Sequence, residues 1–133
     1  MNPARILVVD DNSTNLKLVS DVLSFEGYEI LRAVDAEEAQ VVVADTVPDL
    51  ILMDIALPGM DGLTLTRLLK ADPRTRHVTV VALTAFAMIG DKQKSLDAGC
   101  DGYITKPIDT RTFPTEVAGI LALASGAGQG KTP

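Results

Sequence analysis

Five polar side chains stand at the ends of short apolar runs. Asp10 and Asp11 close "ILVVDD", Asp54 closes "LILMD", Thr84 closes "VVALT", and Lys106 follows "YIT". Carboxylates brought together repel, and some must take up protons unless a cation intervenes. A small hard dication with oxygen ligands relieves that repulsion, and Mg2+ suits it. One lysine opposite such a group can balance an arriving anion. The set therefore describes a place for a phosphoryl group, provided the chain brings its members together.

The elements that must do so are legible in the periodicity. "RILVVD" is too short for a helix and rich in β-branched residues, so it reads as a buried strand. "STNLKLVSDVLSFEGY" places Leu16, Val19 and Leu23 on one helical face, with Asn12 or Ser13 as N-cap and Gly27 as the stop. "EILRAV" is a second strand. "DAEEAQVVVADT" opens with Asp35 and Glu38 at capping-box spacing and turns Ala39, Val42 and Val43 inward. "LILMD" is continuously apolar before its acid, as in a strand covered on both faces. "PGMDG" is a turn in which Asp61 is solvated, and "LTLTRLLKA" is a helix presenting Leu65, Leu68 and Leu69. "VTVVAL", the weaker helix "DKQKSLDAG", the strand "GYIT" and the helix "TEVAGILALA" follow. Pro114 would interrupt a helix that began at Asp109, because it lacks an N–H and its ring clashes with the preceding turn. The regular part of the last helix is thus expected from Thr112 or Phe113, with "IDTR" irregular or a single turn and Phe113 packed inward.

Strands alternating with helices imply an α/β fold, a doubly wound parallel sheet of five strands covered on both faces. In the flavodoxin-like (βα)5 order 2-1-3-4-5, the strand order reverses between the first and third strands, and ligands bind there at the carboxyl ends. The 133 residues suit a single domain, expected over 1–124 with a flexible tail at 125–133. The net charge of −6 gives no basic footprint for nucleic acid. No apolar run reaches the length of a membrane span, and "MNPAR" has no secretory-signal pattern. A lone cysteine, Cys100, permits no internal disulfide and fits a reducing cytoplasm. His77 lies in the polar stretch "DPRTRHV" without an acidic neighbour to orient it, and reads as a surface residue.

"VVDDN", "LILMDIALPGMDG", "VVALTAF" and "YITKPI" together resemble the receiver domain of two-component response regulators, over nearly the whole chain. "PDLILMDIALP", "TAFAM" and "AGCDGYITKPI" further resemble the DivK-like single-domain regulators of bacterial cell division. The resemblance implies that Asp54 is the phosphoacceptor and that Mg2+ is held by Asp10, Asp11, Asp54 and the backbone carbonyl of Ala56. It implies that Lys106 pairs with the phosphoryl oxygens, that Lys106–Pro107 is a cis peptide, and that Thr84 and Tyr103 move in response. It implies a sensor histidine kinase or histidine phosphotransfer protein as donor. The downstream protein target would read the face made by the fourth helix, fifth strand and fifth helix. Ala56 and Phe86 occupy the positions that tune loss of the phosphate, and neither can orient water by a hydrogen bond, so a long-lived phosphorylated state is expected.

Other readings compete. Asp10 and Asp11 could merely favour the start of the first helix, where acids stabilise by about 0.3–1 kcal/mol. A Mg2+-dependent phosphohydrolase working through an aspartyl-phosphate would use much of the same set. Such enzymes place a second acid two residues beyond the nucleophile, where this chain has Ala56. A receiver-like scaffold without phosphorylation is opposed by the intact Asp10, Asp11, Asp54, Thr84 and Lys106. The expected role is a phosphorylation switch, not an enzyme acting on an external substrate.

Overall fold

The computed structural model describes residues 3–57, 59–84 and 89–128, with the backbone alone at 89–92 and 125–128. Strands and helices alternate throughout: β1 (Arg5–Val9), α1 (Ser13–Phe25), β2 (Glu29–Ala33), α2 (Ala36–Asp45), β3 (Leu50–Asp54), α3 (Gly62–Ala71), β4 (Thr79–Thr84), α4 (Ile89–Asp97), β5 (Gly102–Thr105) and α5 (Phe113–Gly128). All strand pairs are parallel, in the order β2-β1-β3-β4-β5. This is the expected flavodoxin-like order, and it makes β1 and β3 neighbours. Their register pairs Val9 with Met53, so the acids that follow β1 and end β3 emerge side by side.

Successive residues of a strand face opposite sides of the sheet. Leu7, Val9, Ile51, Met53, Val80 and Ala82 therefore pack on one side, against Ala36, Ala39 and Val43 of α2 and Leu65 and Leu69 of α3. Ile6, Val8, Leu50, Leu52, Val81 and Leu83 pack on the other, against Leu16, Val19 and Leu23 of α1 and Phe113 and Val117 of α5. Every residue of β3 is buried, as a continuously apolar central strand requires.

The helices begin where their caps place them. Asn12 caps α1 by accepting from the Asn15 N–H, and Gly27 after the helix takes a φ of 96°, a left-handed conformation natural to glycine. Asp35 caps α2, and Glu38 reaches back to the Val34 N–H at 3.1 Å. Asp61 is exposed as expected, yet it has a task, because it caps α3 through the Thr64 N–H. Leu68 departs from its expected place and is 46% exposed, since it falls off the stripe that carries Leu65 and Leu69 into the core.

The last helix starts late, as Pro114 requires. The Asp109 carbonyl accepts from the N–H groups of Thr112 and Phe113, closing one turn, and α5 then runs from Phe113. Pro114 stands in the first turn, where its missing donor would have had no intrahelical acceptor. Phe113 is fully buried and anchors the join. The helix continues through Gly128, into the stretch expected to be tail. Among the described residues no helix is long and apolar enough to cross a membrane.

Candidate functional site

The carboxyl ends of β1, β3 and β5 bring Asp10, Asp54 and Lys106 into direct contact. Lys106 Nζ lies 3.0 Å from Asp54 Oδ2 and 3.0 Å from Asp10 Oδ2. Carboxylate oxygens of Asp10, Asp11 and Asp54 all lie within 4.8 Å of one another. Asp10 is fully buried, Asp54 nearly so, and Asp11 faces solvent. Asp54 Oδ1 accepts from the Ala56 N–H at 2.9 Å, which turns the chain sharply after β3 and brings Ala56 beside the acids.

α3 approaches this turn closely. The Gly62 N–H donates to the Ile55 carbonyl at 3.3 Å, and a Cβ at Gly62 would lie only 2.3 Å from the Asp54 carbonyl oxygen. Any larger residue at 62 would push the β3 end out of place. Thr84 ends β4 as a buried residue, and its carbonyl accepts from the Lys106 N–H at 2.6 Å. Lys106–Pro107 is a cis peptide, as the resemblance implies. Tyr103, paired in register with Ala82 beside it on β4, is half-buried against the core side that holds Val80 and Cys100. Phe86 lies outside the described residues. His77 is exposed and remote from the acids, and Cys100 is buried among core residues.

Charge at the site is unbalanced toward the negative, and the proton affinities follow. Burial pushes the Asp54 carboxyl up, more than the Ala56 N–H and Lys106 pull it down. Burial also weakens the proton's hold on Lys106, but its hydrogen bonds to Asp10 and Asp54 outweigh that and push the ammonium up. The lysine, held by two carboxylates, thus keeps its proton, and Asp54 gives its own up reluctantly because it is buried. A set made of oxygen donors, carrying surplus negative charge at a half-open edge, fits a hard dication.

Two contributors were missed by the motif reading. Asn15 donates from Nδ2 to Asp10 Oδ2. Gly62 provides the clearance under Asp54. The first had a signal in the spacing of "DDNSTN", which puts Asn15 in the first turn after the acids. The second had only a glycine in a turn already rich in them.

A parallel sheet with acids and a lysine gathered at its carboxyl edge offers a site suited to a phosphoryl group. The family model described as the response regulator receiver domain matches residues 6–118, and the chain belongs to that family. The polar-differentiation response regulator DivK of Brucella anthropi is 44% identical over 111 residues, which cover 84% of this chain and 90% of DivK. The response regulator PleD of Caulobacter vibrioides is 47% identical over 106 residues, 80% of this chain and 23% of PleD. The solved chemotaxis response regulator CheY4 of Vibrio cholerae superposes with a TM-score of 0.85 at 25% identity, covering 90% of this chain and 99% of CheY4. The chain is thus a receiver of the DivK-like kind, built for two-component signalling, and the phosphohydrolase reading is not favoured.

Proposed function

We propose that Asp54 accepts a phosphoryl group from the phosphohistidine of a sensor histidine kinase or a histidine phosphotransfer protein, and that this switches a surface read by a downstream protein. One observation carries the reading: Lys106 Nζ stands 3.0 Å from both Asp54 and Asp10, at the rim of the three-acid cluster. Asp10, Asp11 and Asp54, with the Ala56 carbonyl, would hold Mg2+. When bound, the ion offsets the charge between the donor phosphoryl group and the accepting carboxylate.

The protein's own part follows from position. The Ala56 N–H and Lys106 hold the Asp54 carboxylate by one oxygen each, so the nucleophile is oriented before the donor arrives. An Asp54 oxygen attacks phosphorus, the phosphorus–nitrogen bond to the donor imidazole breaks, and its electron pair returns to the ring nitrogen. Lys106 then follows the new negative charge, as a fixed cation does at a developing anion. Thr84 and Tyr103 lie on β4 and β5 beside this event, and their rearrangement would alter the face of α4, β5 and α5 first. The DivK relatives extend the proposal to polar differentiation within the bacterial cell cycle.

Incubation with Mg2+ and acetyl phosphate should add one phosphate to the intact mass. Asp54→Asn should abolish the addition, as should removal of Mg2+ with a chelator. Normal uptake by the Asp54→Asn protein would overturn the assignment. Partner binding that ignores Tyr103→Ala but responds to Lys17→Glu on α1 would move the signalling surface elsewhere.

A further inference from the structure

We infer that Asn15 is a positioning residue for Asp10, holding that carboxylate in place for a divalent cation. The inference rests on the proposed Mg2+-dependent phosphoacceptor role. Asp10 is fully buried, so its orientation is decided by protein donors alone. Its Oδ1 accepts from the Asn12 N–H at 2.9 Å. Its Oδ2 is shared between the Lys106 ammonium, at 3.0 Å, and the Asn15 amide. Asn12 in turn caps α1, its Oδ1 accepting from the Asn15 N–H at 2.9 Å. The three residues close a ring: the Asn12 backbone holds Asp10, the Asn12 side chain holds the Asn15 backbone, and the Asn15 side chain returns to Asp10.

The chemistry of the two donors on Oδ2 differs. Lys106 neutralises Asp10 and is also bound to Asp54, so any anion built on Asp54 competes for it. Once Lys106 turns to that anion, a buried carboxylate would lose its cation and stand with the single N–H of Asn12. The Asn15 amide stays, because α1 fixes its backbone. Being neutral, it orients Asp10 without cancelling the charge that a cation needs. Donors that orient metal ligands from behind commonly change metal affinity 10- to 100-fold when removed.

The cap supplies a clean separation. Asn12 bonds the backbone of Asn15, so Asn15→Ala keeps the cap and removes only the contact to Asp10. Isothermal titration of the full chain with MgCl2 should show affinity about 10-fold or more weaker in Asn15→Ala than in wild type. Labelling by acetyl phosphate should then need correspondingly more Mg2+ for half its maximum, while reaching wild-type extent at saturation. Thermal unfolding without Mg2+ reads any purely structural role at the start of α1. A lowered midpoint with unchanged Mg2+ affinity would make Asn15 a helix-start residue only and overturn the inference. Asn15→Asp, which faces Asp10 with a second carboxylate, should unfold more readily without Mg2+ than Asn15→Ala does. The reverse order would also count against the contact. If wild type itself binds no Mg2+, the underlying phosphoacceptor reading fails and takes this inference with it. Equal binding by wild type and Asn15→Ala sinks the inference alone.

Discussion

Lys70 and Lys106 are half-buried lysines that join separate elements, and each pairs with carboxylate, but Lys70 also holds two backbone carbonyls while Lys106 bridges two acids. Lys70, in the last turn of α3, donates to the Val78 carbonyl at 2.6 Å, the Arg76 carbonyl at 3.3 Å and Asp101 Oδ2 at 2.9 Å. The same Asp101 oxygen accepts from the Val80 N–H at 2.9 Å, so the lysine ties α3 to the start of β4 and the turn before β5. Lys106, at the other edge of the sheet, bridges the carboxylates of Asp10 and Asp54. Their side chains are similarly covered, 21% and 17% exposed. The difference lies in who else wants the acceptors. Among the described residues no other cation bonds the Val78 and Arg76 carbonyls, so Lys70 is a fastening. In the proposed function the acids under Lys106 would be shared with a metal and would become an anion's seat, so that contact would be made to be exchanged.

The sharpest way to break this contrast is to remove each lysine in turn. Lys106→Met should slow labelling by acetyl phosphate about 100-fold or more, the scale of losing one preorganised charge at a developing anion. Rates within threefold of wild type would reduce Lys106 to a structural pin like Lys70. Lys70→Met should do the converse. It takes the side-chain donor from the Val78 carbonyl, leaves Asp101 with the Val80 N–H alone, and should lower unfolding free energy in urea by about 1–3 kcal/mol. Its labelling rate should match wild type. A parallel loss of labelling would erase the distinction between the two edges. A smaller effect concerns how long Lys106 stays displaced. Ala56→Asn with Phe86→Glu should hasten loss of phosphate about fivefold, roughly one net hydrogen bond to the attacking water. An unchanged or slower decay, followed by intact mass, would remove that role from the pair.

The two lysines also mark what a sequence discloses. Lys106 was legible because it follows a strand that must end at the ligand edge, and an isolated cation there has few other uses. Asp10, Asp54 and Thr84 were legible for the same reason. The late start of α5 could be read because proline has only one comfortable place in a helix, and Phe113 fell at the join. Lys70 offered no such sign. Its acceptors are backbone carbonyls, which every residue carries, and the partner Asp101 lies 31 residues away. Asn15 was hidden because an asparagine in a first helical turn has a local reason to be there. Gly62 was hidden because its requirement comes from the backbone of another loop. Leu68 went wrong because an apolar residue beside a buried stripe scores like one within it.

The smallest effect tests the fastening locally. Cys100 precedes Asp101 in the turn that Lys70 secures, and its Sγ lies 3.9 Å from Thr66 Oγ1 on α3. The thiol is 6% exposed, and burial, more than its neighbours, pushes its proton affinity up. The thiolate is the reactive form, so in the native state a thiol reagent must wait for opening of this turn. Raising the pH from 7 to 9 should therefore accelerate the native protein, from a much slower base, by a larger factor than the urea-unfolded one, whose thiol titrates near the ordinary value of about 8.5 and so levels off within that range. Lys70→Met should open the turn more often and raise the native labelling rate about fivefold or more, the equivalent of about 1 kcal/mol of local stability. Lys106→Met, whose contacts lie at the opposite edge, should leave it unchanged. Equal reactivity in wild type and Lys70→Met would mean that α3 is held to this turn by packing alone, and a rise in Lys106→Met would mean that the two edges are coupled through β5.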